Sequence, residues 1–545
     1  MKSALAYLFP PFLSSLLLFL CACGGSGQSN SQPAHFAIGG TVADLAGTGG
    51  GLVLQNNNGD NLTVSANGSF KFASTVTSGG SYSVTVFTQP SNPVQTCSVV
   101  AGTGTATGNI SNVKVECGHG EWAWIAGSQT INQLGTYGTQ GTAAAANTPA
   151  GRQYPATWTD SSGDLWLFGG YGHDSNGNLL PMNDLWKFSN GQWTWVGGPT
   201  LAGQSGNYGT KGVASADSIP GARFEPASWT DSSGTFWLFG GNGFDSVGHE
   251  SPMNDLWKYS NGKWTWVAGS SVGLQNGSYG TLGVAAAGNI PGGRSGAMTW
   301  IDASGNLWLF GGIGYDETNP INGELNDLWE YGNGQWAWMG GSKIKQQPGV
   351  YGTKGVASSS NVPRSRWGAC NWIDSSGNLW LFGGNGYDPS GAAQLLNDLW
   401  KYSGGQWTWM AGPNVVNQFG VYGTQGTFSA DNIPGGRDFG VTWMDASGNV
   451  WLFGGNGYAG SGDPGFLNDL WKFSNGQWTW VGGSNTSDQT SSYGTQGTLG
   501  LPNIPGGRFF LNRWIDPNGN LWLFGGYGQV PGNTGNLNDL WMYMP

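Results

Sequence analysis

Charge is the scarcest ingredient of this 545-residue chain: Asp, Glu, Lys and Arg make up 9% of it, where soluble domains average about a quarter. The 31 acidic residues outnumber the 20 basic ones, for a formal net charge of −11. Nucleic acids and anionic lipid surfaces need clustered Lys and Arg, so neither is an expected partner. Helical periodicity is also missing: beyond the first twenty residues no stretch repeats apolar positions every three to four residues. Four histidines and five cysteines leave little material for a metal centre. What the chain has in excess is glycine, 99 residues, and tryptophan, 31 residues. Abundant glycine between short apolar runs reads as tight turns between short strands, so the fold class is all-β.

The start of the chain is the exception. Lys2 precedes an apolar run from Ala4 to Leu20, and Leu20-Cys21-Ala22-Cys23 follows. A charged start, an apolar stretch and a small residue before a cut describe an export signal, not a spanning helix. The segment resembles a bacterial lipoprotein signal. That resemblance implies that residues 1–22 are removed and that Cys23 becomes the lipidated first residue. With Gly24 behind it, the resemblance further implies residence at the outer membrane, facing the periplasm or the outside. Residues 23–35, mainly Gly, Ser, Gln and Asn, then form a flexible tether. Contact with the membrane is expected through the lipid alone.

Two folded units are expected beyond the tether. Residues 36–118 hold short alternating runs, among them Phe36 to Val42, Ser69 to Phe72 and Val113 to Cys117, parted by Asn-Gly, Gly-Gly and Asn-Pro pairs. About 80 residues of this kind can close a small antiparallel sandwich. The stretch resembles the immunoglobulin-like or carboxypeptidase-regulatory-like modules of bacterial surface proteins, and is expected to be a spacer. An export signal leads to an oxidising compartment, where Cys97 and Cys117 are expected to pair. Closing that loop of about 20 residues is worth roughly 3 kcal/mol. Cys370 lies in a strand-like run and is expected to be a buried, inert thiol.

Residues 119–545 repeat six times. Trp-Leu-Phe-Gly-Gly begins at Trp166, Trp237, Trp308, Trp380, Trp451 and Trp522 (preceded in each case by an arginine 14 residues upstream). Those arginines are Arg152, Arg223, Arg294, Arg366, Arg437 and Arg508, and each copy carries Asn-Asp-Leu-Trp downstream. A repeat of 71 or 72 residues built from short strands means stacked, mutually dependent sheets. In the third copy, the strand pattern runs Arg294 to Asp302, Leu307 to Gly312, Asn326 to Tyr331 and Trp336 to Met339, with Asn333-Gly334 as a hairpin turn. Leu307 to Phe310 is apolar without alternation, as a sheet buried on both faces requires. The region opens with an orphan fourth strand (Trp122, Trp124) and ends after a third strand (Trp541, Tyr543), so the first strand is expected to complete the last sheet. Six four-stranded units closed in this way make a six-bladed β-propeller.

The arginine at the start of the first strand, the double glycine, Asn-Asp-Leu-Trp and the fourth-strand tryptophan resemble the kelch repeat. The match covers residues 119–545 in all six copies, but kelch units are usually about 50 residues long. The excess lies in the connection from the fourth strand to the next first strand, which carries Tyr-Gly-Thr in every copy. Galactose oxidase, a copper-radical enzyme, has a propeller of this type. Its site combines two histidines, two tyrosines and a cysteine cross-linked to one of them. Here the repeat region has only His119, His173, His249 and Cys370 at scattered positions, so neither a metal nor a cofactor is expected.

Tryptophan platforms stack on sugars, but five positions in six copies account for 30 of the 31 tryptophans, which marks them as core. Only Trp367 stands off that lattice and is a candidate binding residue. First strands line the channel of a propeller, so the six arginines are expected to ring its mouth. Tyr137, Tyr208, Tyr279, Tyr351, Tyr422 and Tyr493 are expected on the same face. In some kelch proteins arginines at this position read acidic peptides, and by resemblance this ring is a candidate ligand site. The alternative is that each arginine bonds loop carbonyls and each tyrosine packs between blades. The repeats are too uniform to show a catalytic sector. The expectation is therefore a monomeric, non-catalytic scaffold for protein or polysaccharide at the cell envelope, with a carbohydrate-active enzyme as the alternative.

Overall fold

The computed structural model describes residues 33–545 apart from 44, 46–50, 91–95, 119, 319–320, 388–393, 446, 498–502 and 517–518. The signal, Cys23, all but the last three residues of the tether (23–35), and His119 lie outside the described residues. Every described element is a strand.

The first unit is a sandwich. One sheet contains β1 (His35–Ala43), β4 (Gly68–Thr77), β6 (Thr96–Val100) and β8 (Ile110–Gly118); the other contains β2 (Leu52–Asn56), β3 (Asp60–Val64), β5 (Ser81–Thr88) and β7 (Thr103–Thr105). Ile38, Leu54, Phe72, Val84 and Val115, drawn from both sheets, share one core. The expectation of a purely antiparallel unit needs correction, because β1 runs parallel to β8, with Val42 opposite Val115. A parallel pair needs a long crossover, and the intervening strands supply it. Cys97 and Cys117 sit opposite each other on β6 and β8 and are joined by a disulfide.

The second unit begins with β9 (Glu121–Ala126) and is a β-propeller. In the third repeat the innermost strand is split into Arg294–Ser295 and Met298–Ile301, both paired with Leu307–Gly314, which pairs in turn with Gly323–Gly332 and then Gln335–Gly340. Asn333 and Gly334 take φ of 51° and 80° at the last hairpin, the left-handed pair that matches strand twist. The double glycine answers to a close approach. A Cβ on Gly240 would stand 2.7 Å from the Met253 carbonyl and 2.8 Å from that of Arg294 in the next repeat. The Gly241 amide donates to the same Arg294 carbonyl at 2.8 Å.

These ties run round a closed circuit. Inner strands are linked by Thr299 to the Ser228 carbonyl and Thr442 to the Asn371 carbonyl, and last to first by Thr157 to the Arg513 carbonyl at 3.0 Å. The Asn-Asp-Leu-Trp asparagines bond the proline carbonyl of the following repeat, as Asn254 does with Pro291, and Asn538 returns to Pro149. β9 pairs antiparallel with Leu540–Met544, putting Trp124 opposite Trp541 and Trp122 opposite Tyr543. The orphan strand therefore completes the last sheet. Between repeats, fourth-strand tryptophans pack on their neighbours: Trp264 meets Phe168 at 4.8 Å and Trp193 meets Phe524 at 5.4 Å.

The extra length of the repeat also has a structural explanation. Each connection runs out along the fourth strand of the sheet it leads into and returns. Gly283 donates to the Trp338 carbonyl and Ala286 to that of Trp336, while Asn289 Nδ2 bonds the Trp336 carbonyl at 3.1 Å. The same amide-to-carbonyl bond recurs at Gly141, Gly212, Gly355, Gly426 and Gly497. Each connection thus covers the outer edge strand, whose free carbonyls would otherwise invite another chain. A path out to a fixed strand and back has a fixed length, which accounts for the constant 28 residues from tryptophan to arginine.

Candidate functional site: the channel mouth

The expected ring of arginines at the mouth is corrected by the structure: the six are buried and internally paired. Arg152, Arg223, Arg366, Arg437 and Arg508 are 0% exposed, and Arg294 1%. In the third repeat, Arg294 forks onto Asp327 with bonds of 2.7 and 2.8 Å, while its Nε and Nη1 also donate to the Gly292 and Gly311 carbonyls. Asp327 further accepts the Tyr279 hydroxyl at 2.7 Å and the Trp329 indole at 2.7 Å. Equivalent groups are built on Asp184, Asp255, Asp398, Asp469 and Asp539. Burial and the neighbouring carboxylate push the tyrosine hydroxyls up, so they stay protonated donors. Tyr137, Tyr208, Tyr279 and Tyr422 are also buried by surface area, and Tyr351 and Tyr493 partly so. A charge taken out of water must be paired, and here each guanidinium meets a carboxylate and two carbonyls away from the channel. None of the six is exposed to a ligand.

The residues that do face the channel come two positions after each arginine. Tyr154, Glu225, Gly296, Gly368, Phe439 and Phe510 all have φ between 51° and 63°. They form a collar with five backbone links from one repeat to the next: Tyr154 to Phe510, Glu225 to Tyr154, Gly296 to Glu225, Gly368 to Gly296 and Phe439 to Gly368, of 2.7 to 3.2 Å. A left-handed tyrosine, glutamate or phenylalanine costs on the order of 1 kcal/mol or more. The kink has a topological cause: it splits the inner strand and turns one residue of each repeat towards the axis. The residues at this position differ sharply, whereas the arginine and its ties do not.

The collar has two halves. Tyr154, Phe439 and Phe510 pack together, with ring centroids 5.1 Å (Tyr154 to Phe439) and 4.7 Å (Phe439 to Phe510) apart. Glu225, Gly296 and Gly368 leave the opposite half open, and a cavity of about 170 Å³ is lined by all six collar residues. Trp367, half-buried, lies edge-on to Phe439 at 5.1 Å. Asp438, 4% exposed, accepts long bonds from Asn385 at 3.5 Å and Asn456 at 3.3 Å. Burial pushes the Glu225 carboxyl up to about 7 against hydrogen bonds from Ser295 and Tyr154. Burial likewise raises Asp438 to about 7, and the charge of Glu225 adds to the shift. The one cue to this site in the sequence is a variable position at a fixed offset from an invariant arginine.

The remaining candidates fall into place as structure. Cys370 is buried, its thiol bonds the Gly440 carbonyl, and burial pushes it up to about 12. Asp174 spends both oxygens on Asn176, Asn178 and Ala202. The turn aspartates hold the turns from inside: Asp302 accepts from Ser304 N, Asn306 N and the Trp308 indole. His173 ends a strand (Leu165–His173) of the first repeat, and His249 lies just before a strand (Glu250–Pro252) of the second. Among the described residues no three His, Cys, Asp or Glu side chains are grouped to hold a metal.

No protein family and no curated protein matches the chain in sequence. Similar solved structures include that of YjhT, at 15% identity and a TM-score of 0.41, covering 72% of this chain and 95% of that one. A fungal alcohol oxidase of the AA5 family, described in complex with copper, gives 12% identity and 0.39, covering 75% and 77%. A protein of unknown function from Dyadobacter fermentans gives 10% and 0.40, covering 78% and 98%. Such distant likenesses say nothing about activity; the propeller is read from the sheets themselves.

Proposed function

We propose that this chain is a lipid-anchored, non-catalytic binding scaffold of the bacterial cell envelope, with repeats of the kelch type. It works as a monomer that engages a protein or polysaccharide through the channel-mouth face, and the sandwich serves as a spacer behind it. One observation carries this reading. The six repeats spend their arginines, aspartates and most of their tryptophans identically on internal ties, and they diverge where the collar faces the axis. A scaffold that is uniform inside and individual at one mouth is built to present that mouth. The recognition groups are therefore Tyr154, Glu225, Trp367, Asp438, Phe439 and Phe510, not the arginine and tyrosine ring.

Glycan and peptide arrays probed with the full chain in detergent test the reading. Saturable binding that is lost in a Trp367→Ala/Phe439→Leu double variant of unchanged melting temperature is expected. Hydrogen peroxide release or sugar turnover by the purified chain with added copper or calcium would replace the scaffold with a carbohydrate-active enzyme.

A further inference from the structure

The open half of the collar combines features that together select one kind of ligand. Gly296 sits between a carboxylate and an indole. A Cβ placed there would stand 3.5 Å from Glu225 Oε2 and 3.2 Å from Trp367 Cε3. Gly368 lies under the Phe439 ring, whose nearest atom is 2.6 Å from a Cβ built on that glycine. Asp438 adds a second carboxylate close enough to feel the charge of Glu225. Among the described residues neither carboxylate has a lysine or arginine partner; their bonds are to Ser295, Tyr154, Asn385 and Asn456. The lattice carboxylates, by contrast, are each forked by an arginine. Aromatic rings carry negative faces, and a cation held against them beside a carboxylate gains from both. An anion is repelled by the ionised carboxylates, and a neutral sugar gains nothing from their charge.

Resting on the binding reading above, we infer that the channel mouth takes an alkylammonium group, seated in the cavity between Glu225 and the Phe439 ring, where Trp367 packs on Gly296 and Phe439. Gly296 and Gly368 let the Trp367 and Phe439 rings close onto the backbone, because a side chain there would meet the ring or the carboxylate. The group can arrive as the lysine side chain of a protein or as a free small amine. A cavity of about 170 Å³ has room for the head group and the first few methylenes of either.

Isothermal titration of the full chain in detergent at pH 8 tests this with tetramethylammonium, N-acetyl-lysine methylamide and cadaverine, against the neutral isostere neopentyl alcohol. Saturable binding of at least one cation, with at least tenfold weaker binding of the alcohol, is expected. Trp367→Leu, with an unchanged melting temperature, and Glu225→Gln, with one no lower than that of the parent chain, should each weaken the cation at least fivefold. Preference for the lysine derivative points to a protein source, and preference for cadaverine to a free amine; both support the inference. Equal binding of cation and alcohol, or cation binding untouched by both variants, overturns it. Array ligands without amino groups, bound through Trp367 and Phe439 while all three cations fail, overturn the inference and leave the scaffold reading intact. Silence on arrays and in titrations alike removes both.

Discussion

The buried arginine of each repeat and the collar residue that follows it are two residues apart in sequence and opposite in character. Arg294 is 1% exposed and donates four bonds, to Asp327 and to the Gly292 and Gly311 carbonyls, and the same holds with small changes in distance in the other five repeats. Two residues later the chain carries tyrosine, glutamate, glycine, glycine, phenylalanine and phenylalanine. The arginine position is constrained from all sides, because a buried ion pair tolerates no missing partner. The collar position is constrained only in its backbone, by φ and by the link to the neighbouring repeat. Repetition therefore builds the frame, and the one backbone-fixed but side-chain-free position is where individuality enters.

Breaking the frame should have the largest effect. Arg294→Ala leaves Asp327 buried without its fork, and a loss of about 3–5 kcal/mol is expected in urea unfolding. A loss below about 1 kcal/mol would mean that Asp327 simply protonates, and the arginines would return as candidates for binding. The predicted loss marks Arg294 as structural, against the candidate ligand site read from the sequence. Tyr279→Phe removes one of four donors to the same carboxylate and should cost about 1 kcal/mol, with the fork intact.

The collar should respond to pH and not to packing. Glu225 and Asp438 are acids raised to about 7 in the folded chain, above the value of about 4 they have when unfolded. Between those values the folded state holds more protons than the unfolded one, so stability falls as pH rises from about 4 to 7 and is level above that. The melting temperature at pH 5 should exceed that at pH 8, and Glu225→Gln together with Asp438→Asn should flatten the difference. An unchanged slope in the double variant would place the titrating groups elsewhere. The smallest change is expected at Trp367→Ala. Its half-buried indole lies off the lattice, so stability should move by less than about 1 kcal/mol while ligand capture drops.

Much of the fold was legible because the repeat reports on itself. Trp-Leu-Phe without alternation marks a strand covered on both faces, Asn333-Gly334 marks a hairpin, and the complementary cut at Trp122 and Tyr543 marks the closing strand. The parallel β1–β8 pair was not legible, since strand runs carry alternation but no direction. The covering role of the long connection was hidden too. Tyr-Gly-Thr recurs visibly, but only coordinates show Gly283 reaching the carbonyl of Trp338.

What the sequence determined by itself is the strand, turn and core pattern, because the period of apolar residues, the glycine pairs and the tryptophan lattice act through neighbours a few bonds or one repeat away. Which side of the arginine carries its partner was decided by tertiary structure alone. Asp327 lies 33 residues from Arg294, and whether a guanidinium meets it or the open channel depends on strand pairing and on the left-handed kink that follows. The same kink gathers six residues, each about 71 apart, into a single collar. Periodicity announces that such positions are equivalent, and only closure of the ring brings them face to face.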